Sequence, residues 1–458
     1  MLRNPGWFPA AYVGALIAQL VLAVGLTGAH WHQTGQLPLS GSPQRGMLAA
    51  GTESVMKPLI ADLLRQRSRA ILDQNRVAFL RTVDPQSSRF NATQARLFQR
   101  VIELPLARWE HHIRGTVSPA MAEQWLPVLQ RRYGAPVWLA EVRMRHGFTA
   151  VPNFELAGTH YLTFVLRKGA WYLAADDDLD SSGLISNRQL WDFGPVVAAS
   201  TGATLVLGHR VQQGFVQRIG RLTSRARSAV VDLFGTEIAP VVVIVPGDLD
   251  EARKLLPGTS AAGTASTSSV HLSALSAVTT AADSDPRHPY VVLNTEVMAG
   301  LSEPEQAIVL RHESAHVATR DVSSKNPPVW LSEGIAEYAA YIDSGRSQGQ
   351  FAPDLVSSVR SGKLPRQLPT RQSFESTADA GDATAAALAY RYAWSACVLL
   401  VKRVGFAELT EIYRRSAEQT GDAIDTVWPQ ALQDRLSLSR EDFVRLWQEY
   451  LVTSFATP

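Results

Sequence analysis

Two neighbouring segments decide how this chain is interpreted: SEPEQAIVLRHESAHVA at residues 302–318 and VWLSEGIAEYAAYI at residues 329–342. The first opens on Ser302 with Glu305 three residues later, which is typical of a capping box at the start of a helix. A proline pair ending at Pro328 then interrupts the helical pattern. The sequence therefore predicts two consecutive helices joined by a short connection.

The first helix carries a histidine pair with the spacing of a metal site. His312 and His316 are four residues apart, so a helix projects both imidazoles from one face. Two neutral ring nitrogens at this spacing can bind one zinc ion, and Glu313 can reach a metal-bound water without being a ligand. Apolar residues on both sides of the motif predict that this helix is buried, so both histidines need partners.

The second helix supplies carboxylates for the same site. Glu333 follows His316 by 17 residues, which leaves room for one helix to end and a packed neighbour to start. A catalytic zinc site needs a third protein ligand and an open position, and Glu333 is the candidate. Glu337, one turn later, is either an alternative ligand or a carboxylate that orients a ligating histidine.

The pattern HExxH followed by WLxEGxAxY resembles the gluzincin zinc metallopeptidases, the thermolysin and aminopeptidase N group, and especially their peptidase-MA-like branch. The resemblance covers roughly residues 200–450. It implies that His312, His316 and Glu333 bind zinc, that Glu313 is catalytic, and that Glu337 hydrogen-bonds a zinc-bound histidine. The spacing between the two motifs is two residues shorter than in aminopeptidase N-type enzymes. The exopeptidase signature GxMEN is absent, so removal of amino-terminal residues is not expected.

The same resemblance suggests two further features. The segment around YRYAWSA is similar to one whose tyrosine stabilises the oxyanion, with Tyr392 as the first candidate and Tyr390 as the second. Core packing of a helix explains either tyrosine almost equally well. In this family an edge strand before the zinc helix aligns the substrate backbone, and Tyr290–Asn294 (YVVLN) is the candidate for it.

Between the amino terminus and the zinc motif the chain predicts an α+β fold in two domains. Helices and then antiparallel strands indicate a small α+β roll over residues 53–190, with phrases such as AFLRTVDP that loosely resemble the nuclear-transport-factor-2-like fold. His111 and His112 in this domain are expected on a surface helix. Residues 191–458 are predicted to form the gluzincin-like domain, in which a small β-sheet precedes a mainly helical zinc-binding part.

The amino terminus is the part of the chain that departs from an average composition. Residues 4–44 contain no Lys, Arg, Asp or Glu, and residues 7–29 are long and apolar enough to span a bilayer. Residues 1–30 are therefore predicted to be a membrane anchor or a cleaved signal sequence, and residues 31–52 a linker. Arg3 precedes the apolar stretch, so the rest of the chain is expected outside the cytoplasm, on the cell membrane or secreted.

The composition limits the remaining function classes. A net charge of +2 argues against a dedicated nucleic-acid binder, and a single cysteine excludes an intramolecular disulfide or a cysteine-rich zinc cluster. The sequence predicts an extracytoplasmic, membrane-anchored zinc metallopeptidase that acts on a peptide or protein. The alternative is a non-catalytic cell-envelope binding protein with a structural zinc site, in which Glu337 would be the fourth ligand.

Overall fold

A computed structural model describes residues 43–256, 277–281, 287–323, 327–374, 380–417, 430 and 432–456. The predicted membrane stretch lies outside these residues. The described residues combine helices with two small β-sheets, which agrees with the expected mixture of helices and strands. They divide into two compact units, and the division falls between residues 197 and 198.

The amino-terminal unit is built on a four-stranded antiparallel sheet with the order β1-β2-β3-β4. One face of the sheet packs against Ile60 and Leu64 of the first helix, and the other packs against Leu129 of the fourth. The first helix begins inside the segment predicted to be a linker. The elements are α1 (Pro43–Leu72), α2 (Arg76–Arg81), α3 (Ser88–Val101), β1 (Leu106–Thr116), α4 (Pro119–Tyr133), β2 (Val137–Phe148), β3 (Glu155–Arg167), β4 (Ala170–Ala175) and α5 (Leu190–Phe193).

The prediction of a surface helix at His111 and His112 is wrong, because both residues lie on strand β1. Trp109 is buried and Ile113 packs against the core, and their spacing of four residues fits the two-residue period of a strand. His111 shares their face, and its Nδ1 lies 3.0 Å from the hydroxyl of Ser68 on α1. A polar residue on the inward face hid the alternation of apolar residues in the sequence.

The second unit contains a five-stranded sheet and most of the helices. The elements from the sheet onward are β5 (Val196–Thr201), β6 (Thr204–His209), α6 (Gln213–Phe234), β7 (Val241–Val245), α7 (Leu249–Leu255), β8 (Ala277–Ala281), β9 (Pro289–Leu293), α8 (Thr295–Gly300), α9 (Glu303–Ala318), α10 (Arg320–Ser323), α11 (Val329–Ile342), α12 (Gln348–Phe351), α13 (Pro353–Arg360), α14 (Arg371–Phe374), α15 (Ala380–Val404), α16 (Phe406–Ser416) and α17 (Arg440–Phe455).

The strand order is β5-β6-β7-β9-β8, in which β6, β7 and β9 are parallel and β8 is antiparallel to β9. The expected strand at YVVLN is present as β9, but its expected place at the edge is wrong. All five residues of β9 are buried, which is typical of an interior strand covered on both faces. Among the described strands β8 lies at this edge, and it comes from the Ser/Thr/Ala-rich stretch before β9.

The zinc-motif helix α9 and its neighbours α11 and α15 form the centre of this unit. Gly334 of α11 meets α15 so closely that a Cβ atom there would lie 2.5 Å from Sγ of Cys397 and 2.6 Å from the carbonyl oxygen of Ala393. Within the described residues, Thr384–Val404 of α15 is long and apolar enough to cross a membrane, yet 72% of its apolar window is buried inside the protein. Its apolarity is therefore explained by packing in the core.

Candidate metal centre

Helices α9 and α11 bring three candidate ligand atoms together. Ser302 and Glu305 form the expected capping box at the start of α9. The four-residue spacing of His312 and His316 puts both on one face of this helix, and both are buried. Their Nε2 atoms are 3.2 Å apart, and Oε2 of Glu333 lies 3.6 Å from the first and 3.5 Å from the second. The sequence predicted this group of three residues, and the structure places them together.

These distances fit one small metal ion. Three points separated by 3.2, 3.5 and 3.6 Å lie on a circle with a radius of about 2.0 Å, which matches the metal–ligand distances of about 2.0–2.2 Å for zinc with histidine and carboxylate ligands. An ion of that size can therefore contact all three atoms without any movement of the backbone. The group is also buried, since His312 and Glu333 have no exposed surface and His316 is 1% exposed.

The charges within this buried group shift each pKa. Burial would raise the pKa of Glu333, but the nearby His316 and His312 lower it below its ordinary value. Burial would lower the pKa of His312, but hydrogen bonding to Glu333 and Glu337 raises it to about 10. For His316 burial dominates and the pKa is lowered. A carboxylate that stays ionised beside two histidines suits cation binding.

Glu337 lies behind His312 and does not face the other ligand atoms. Its Oε1 is 3.3 Å from Nδ1 of His312, and its Oε2 accepts a hydrogen bond of 2.6 Å from Nη1 of Arg391 on α15. Both members of this ion pair are buried, and Asp354 lies 3.9 Å from Nε of the arginine. This arrangement puts a carboxylate next to the far side of a candidate ligand histidine, which is compatible with the orienting role that the resemblance implies for Glu337.

Glu313 is held by a residue of the edge strand. The hydroxyl of Thr279 on β8 donates a hydrogen bond of 2.5 Å to Oε2 of Glu313. Glu313 is 2% exposed and follows His312 directly on α9. The strand next to α9 thus orients the carboxylate that the sequence identified as the candidate proton acceptor.

The two candidate tyrosines of α15 point to other parts of the unit. The hydroxyl of Tyr392 lies 3.0 Å from that of Ser358 and donates to the carbonyl oxygen of Lys363 at 3.3 Å. Burial raises its pKa. Tyr390 is 1% exposed and packs edge-on against Phe374. Neither of these contacts involves a candidate ligand atom, so the oxyanion role of Tyr392, or of Tyr390, remains a prediction.

Two residues of the site were missed at the sequence level. Thr279 lies in a stretch of small polar residues that carries no recognisable signal. Arg391 did carry one, because it is the only charged residue between 384 and 401 in an otherwise apolar helical stretch. A lone charge in a buried helix needs a buried counter-charge, and here Glu337 provides it.

The fold and the site together define a mixed α/β protein with a buried His/His/Glu group that could hold a metal ion. No protein-family model matches the chain, and no similar curated protein was found. The donor set of two imidazoles and one carboxylate suits zinc and other divalent transition metals.

Proposed function

We propose that this protein is a zinc-dependent metallopeptidase of the gluzincin type, which hydrolyses peptide bonds with a metal-activated water. The observation that carries this proposal is the convergence of His312, His316 and Glu333 at zinc-binding distances, with Glu313 beside them on the same helix. His312, His316 and Glu333 would hold the ion. When bound, zinc supplies a Lewis acid and lowers the pKa of its water to about 7.

Side chains of the protein would accept the proton of the attacking water and pass it on. Glu313 accepts it on its carboxylate and returns it to the leaving amine, and the hydroxyl of Thr279 keeps that carboxylate in place. Glu337, which lies 3.3 Å from Nδ1 of His312, would orient that ring, and Nη1 of Arg391 donates a hydrogen bond to Glu337. Tyr392, or Tyr390 in its place, would donate a hydrogen bond to the oxyanion.

The alternative of a structural zinc site needs four protein ligands. Glu337 was the candidate for the fourth, but its two oxygens contact Nδ1 of His312 and Nη1 of Arg391. Among the described residues, the ligand atoms that converge are those of His312, His316 and Glu333. Three protein ligands with a carboxylate next to them favour an open, catalytic site.

We further propose that the enzyme acts outside the cytoplasm on peptides or proteins. This part of the proposal depends on the uncharged apolar stretch at residues 7–29. An uncleaved stretch anchors the enzyme in the membrane, and cleavage after Ala29 releases it.

The test of the activity is the Glu313→Gln variant of the full chain, compared with Glu303→Gln. Glu303 lies in the first turn of the same helix and is exposed, so its variant controls for the loss of one charge from α9. We expect Glu313→Gln to bind zinc like the parent and to lose about 10²–10⁴-fold in peptide hydrolysis. Glu303→Gln should retain both properties. Parental turnover by Glu313→Gln, measured on a peptide library with a chelator control, would refute the proposal.

A further inference from the structure

Arg320 is a buried arginine with two nitrogen atoms that find no acceptor among the described residues. Its side chain is 5% exposed, and its Nε and Nη1 atoms are buried with no hydrogen-bond partner in the part of the chain that the structure describes. Burial lowers its pKa. Proteins rarely leave a buried guanidinium without an acceptor, because the charge has lost its hydration and gained nothing in return.

Two other arginines are buried to the same degree, and the chain supplies acceptors to both. Arg67 is 5% exposed and donates to the side chains of Thr82 and Gln94. Arg391 is 2% exposed and forms its ion pair with Glu337. Arg391 also leaves its Nε without a partner, but its Nη1 is paired with Glu337, whereas neither Nε nor Nη1 of Arg320 has a partner among the described residues. A bound molecule can supply the acceptor that these two nitrogens lack.

Arg320 lies beside the candidate metal centre. It follows His316 by four residues, and its positive charge contributes to the lowered pKa of that histidine. On another side it is close enough to Tyr413 for the phenol to affect the pKa of the arginine. The hydroxyl of Tyr413 donates to Oγ of Ser332 at 3.3 Å, and Ser332 directly precedes Glu333. Arg320 is therefore linked to α9 through His316 and to α11 through Tyr413.

We propose that Arg320 binds a carboxylate of the substrate, so that the enzyme prefers peptides with a free carboxylate close to the bond that is cleaved. This inference depends on the proposed peptidase function and adds its substrate class. A guanidinium presents paired N–H groups that match the two oxygens of a carboxylate. The carboxylate comes either from the carboxyl terminus of a peptide or from an aspartate or glutamate side chain.

The experiment uses the full chain and an N-acetylated pentapeptide library in three forms: the free acid, the carboxamide, and the carboxamide with one aspartate. We expect the parent to cleave one carboxylate-bearing form about 10- to 100-fold faster than the plain carboxamide, which is the usual value of a hydrogen bond to a charged group. The form that is preferred identifies the source of the carboxylate. Arg320→Met should remove the preference, and Arg320→Lys should restore part of it.

Arg311→Met is the matched control. Arg311 is next to His312, and its Nε and Nη1 also have no hydrogen-bond partner among the described residues. It differs from Arg320 because its side chain is 17% exposed and its Nη1 lies 3.7 Å from the carboxylate of Asp343. This variant removes a positive charge near the site and should keep the preference. Arg320→Met should also unfold at no lower temperature than the parent, because it removes an unpaired buried charge. A purely structural role for Arg320 predicts a lower unfolding temperature.

Equal cleavage of all three forms by the parent, or a preference that survives in Arg320→Met, overturns the inference and leaves the peptidase proposal intact. If the parent cleaves none of the forms, the peptidase proposal fails, and a binding measurement decides the role of Arg320. Zinc-loaded protein is then titrated with N-acetylphenylalanine and with its amide. Acid-specific binding that Arg320→Met loses supports the carboxylate site, and equal binding of acid and amide overturns it.

Discussion

Replacement of Glu337 by glutamine tests the buried contacts behind His312. The variant keeps the shape of the side chain but removes the charge that faces Arg391 at 2.6 Å and His312 at 3.3 Å. Breaking a buried ion pair costs about 3–5 kcal/mol of the free energy of unfolding, and loss of a carboxylate behind a ligand histidine costs about 10- to 100-fold in metal affinity. We expect the lower end of both ranges, about 3 kcal/mol and about tenfold, because the amide oxygen still accepts one hydrogen bond.

Stability is measured by urea unfolding of the metal-free chain, and affinity by competition for zinc with a chromophoric chelator. Glu237→Gln is the control, because Glu237 pairs with Arg227 at 2.8 Å and the glutamate side chain is 80% exposed. An exposed pair contributes less than about 1 kcal/mol, and this one does not touch the metal centre. If Glu337→Gln matches the parent in zinc affinity and in its urea midpoint, the reasoning about the buried contacts is wrong.

Three further predictions concern the packing of both units. Burial, together with the nearby His160, lowers the pKa of His146 to about 3. Between about pH 6.5 and 3 the unfolded chain therefore binds a proton that the folded chain does not. As the pH is lowered through this range, the free energy of unfolding should decrease by about 1.4 kcal/mol per pH unit. His146→Phe should remove this component when urea unfolding is compared at pH 7 and pH 5. Gly334→Ala should reduce the free energy of unfolding by about 1–3 kcal/mol, because its Cβ would lie 2.5 Å from Sγ of Cys397. An unchanged urea midpoint would contradict this. Burial raises the pKa of the Cys397 thiol, so a thiol reagent should label it in urea but not in the native protein.

Local patterns were sufficient to predict the helices that carry the site. The capping box at Ser302 and the run from Val329 to Ile342 contain their own start signals and apolar periodicity, and both helices form where they were expected. Spacing alone left Glu333 and Glu337 as alternative ligands, and the resemblance to the gluzincin pattern favoured Glu333. These features depend on residues within a few helical turns of one another.

Features that depend on distant parts of the chain could not be predicted in the same way. The segment YVVLN was predicted as a strand, but its interior place depends on β8, which comes from a stretch with no apolar alternation. The contact of Thr279 with Glu313 follows from that unexpected pairing. Arg391 meets Glu337 across 54 residues, and the apolar helix around the arginine does not indicate which carboxylate it faces.

The buried polar groups around the metal centre also determine its electrical balance. Among the described side chains less than a tenth exposed, the ionisable groups that interact with the two histidines or with Glu337 are Glu313, Glu333, Glu337, Arg320 and Arg391. Histidines that bind a metal are neutral, so these groups and a divalent cation together carry one net positive charge, and a single carboxylate from a substrate restores neutrality. A low-dielectric interior disfavours any uncompensated charge. The centre should therefore hold an anionic peptide more tightly once a divalent ion is in place.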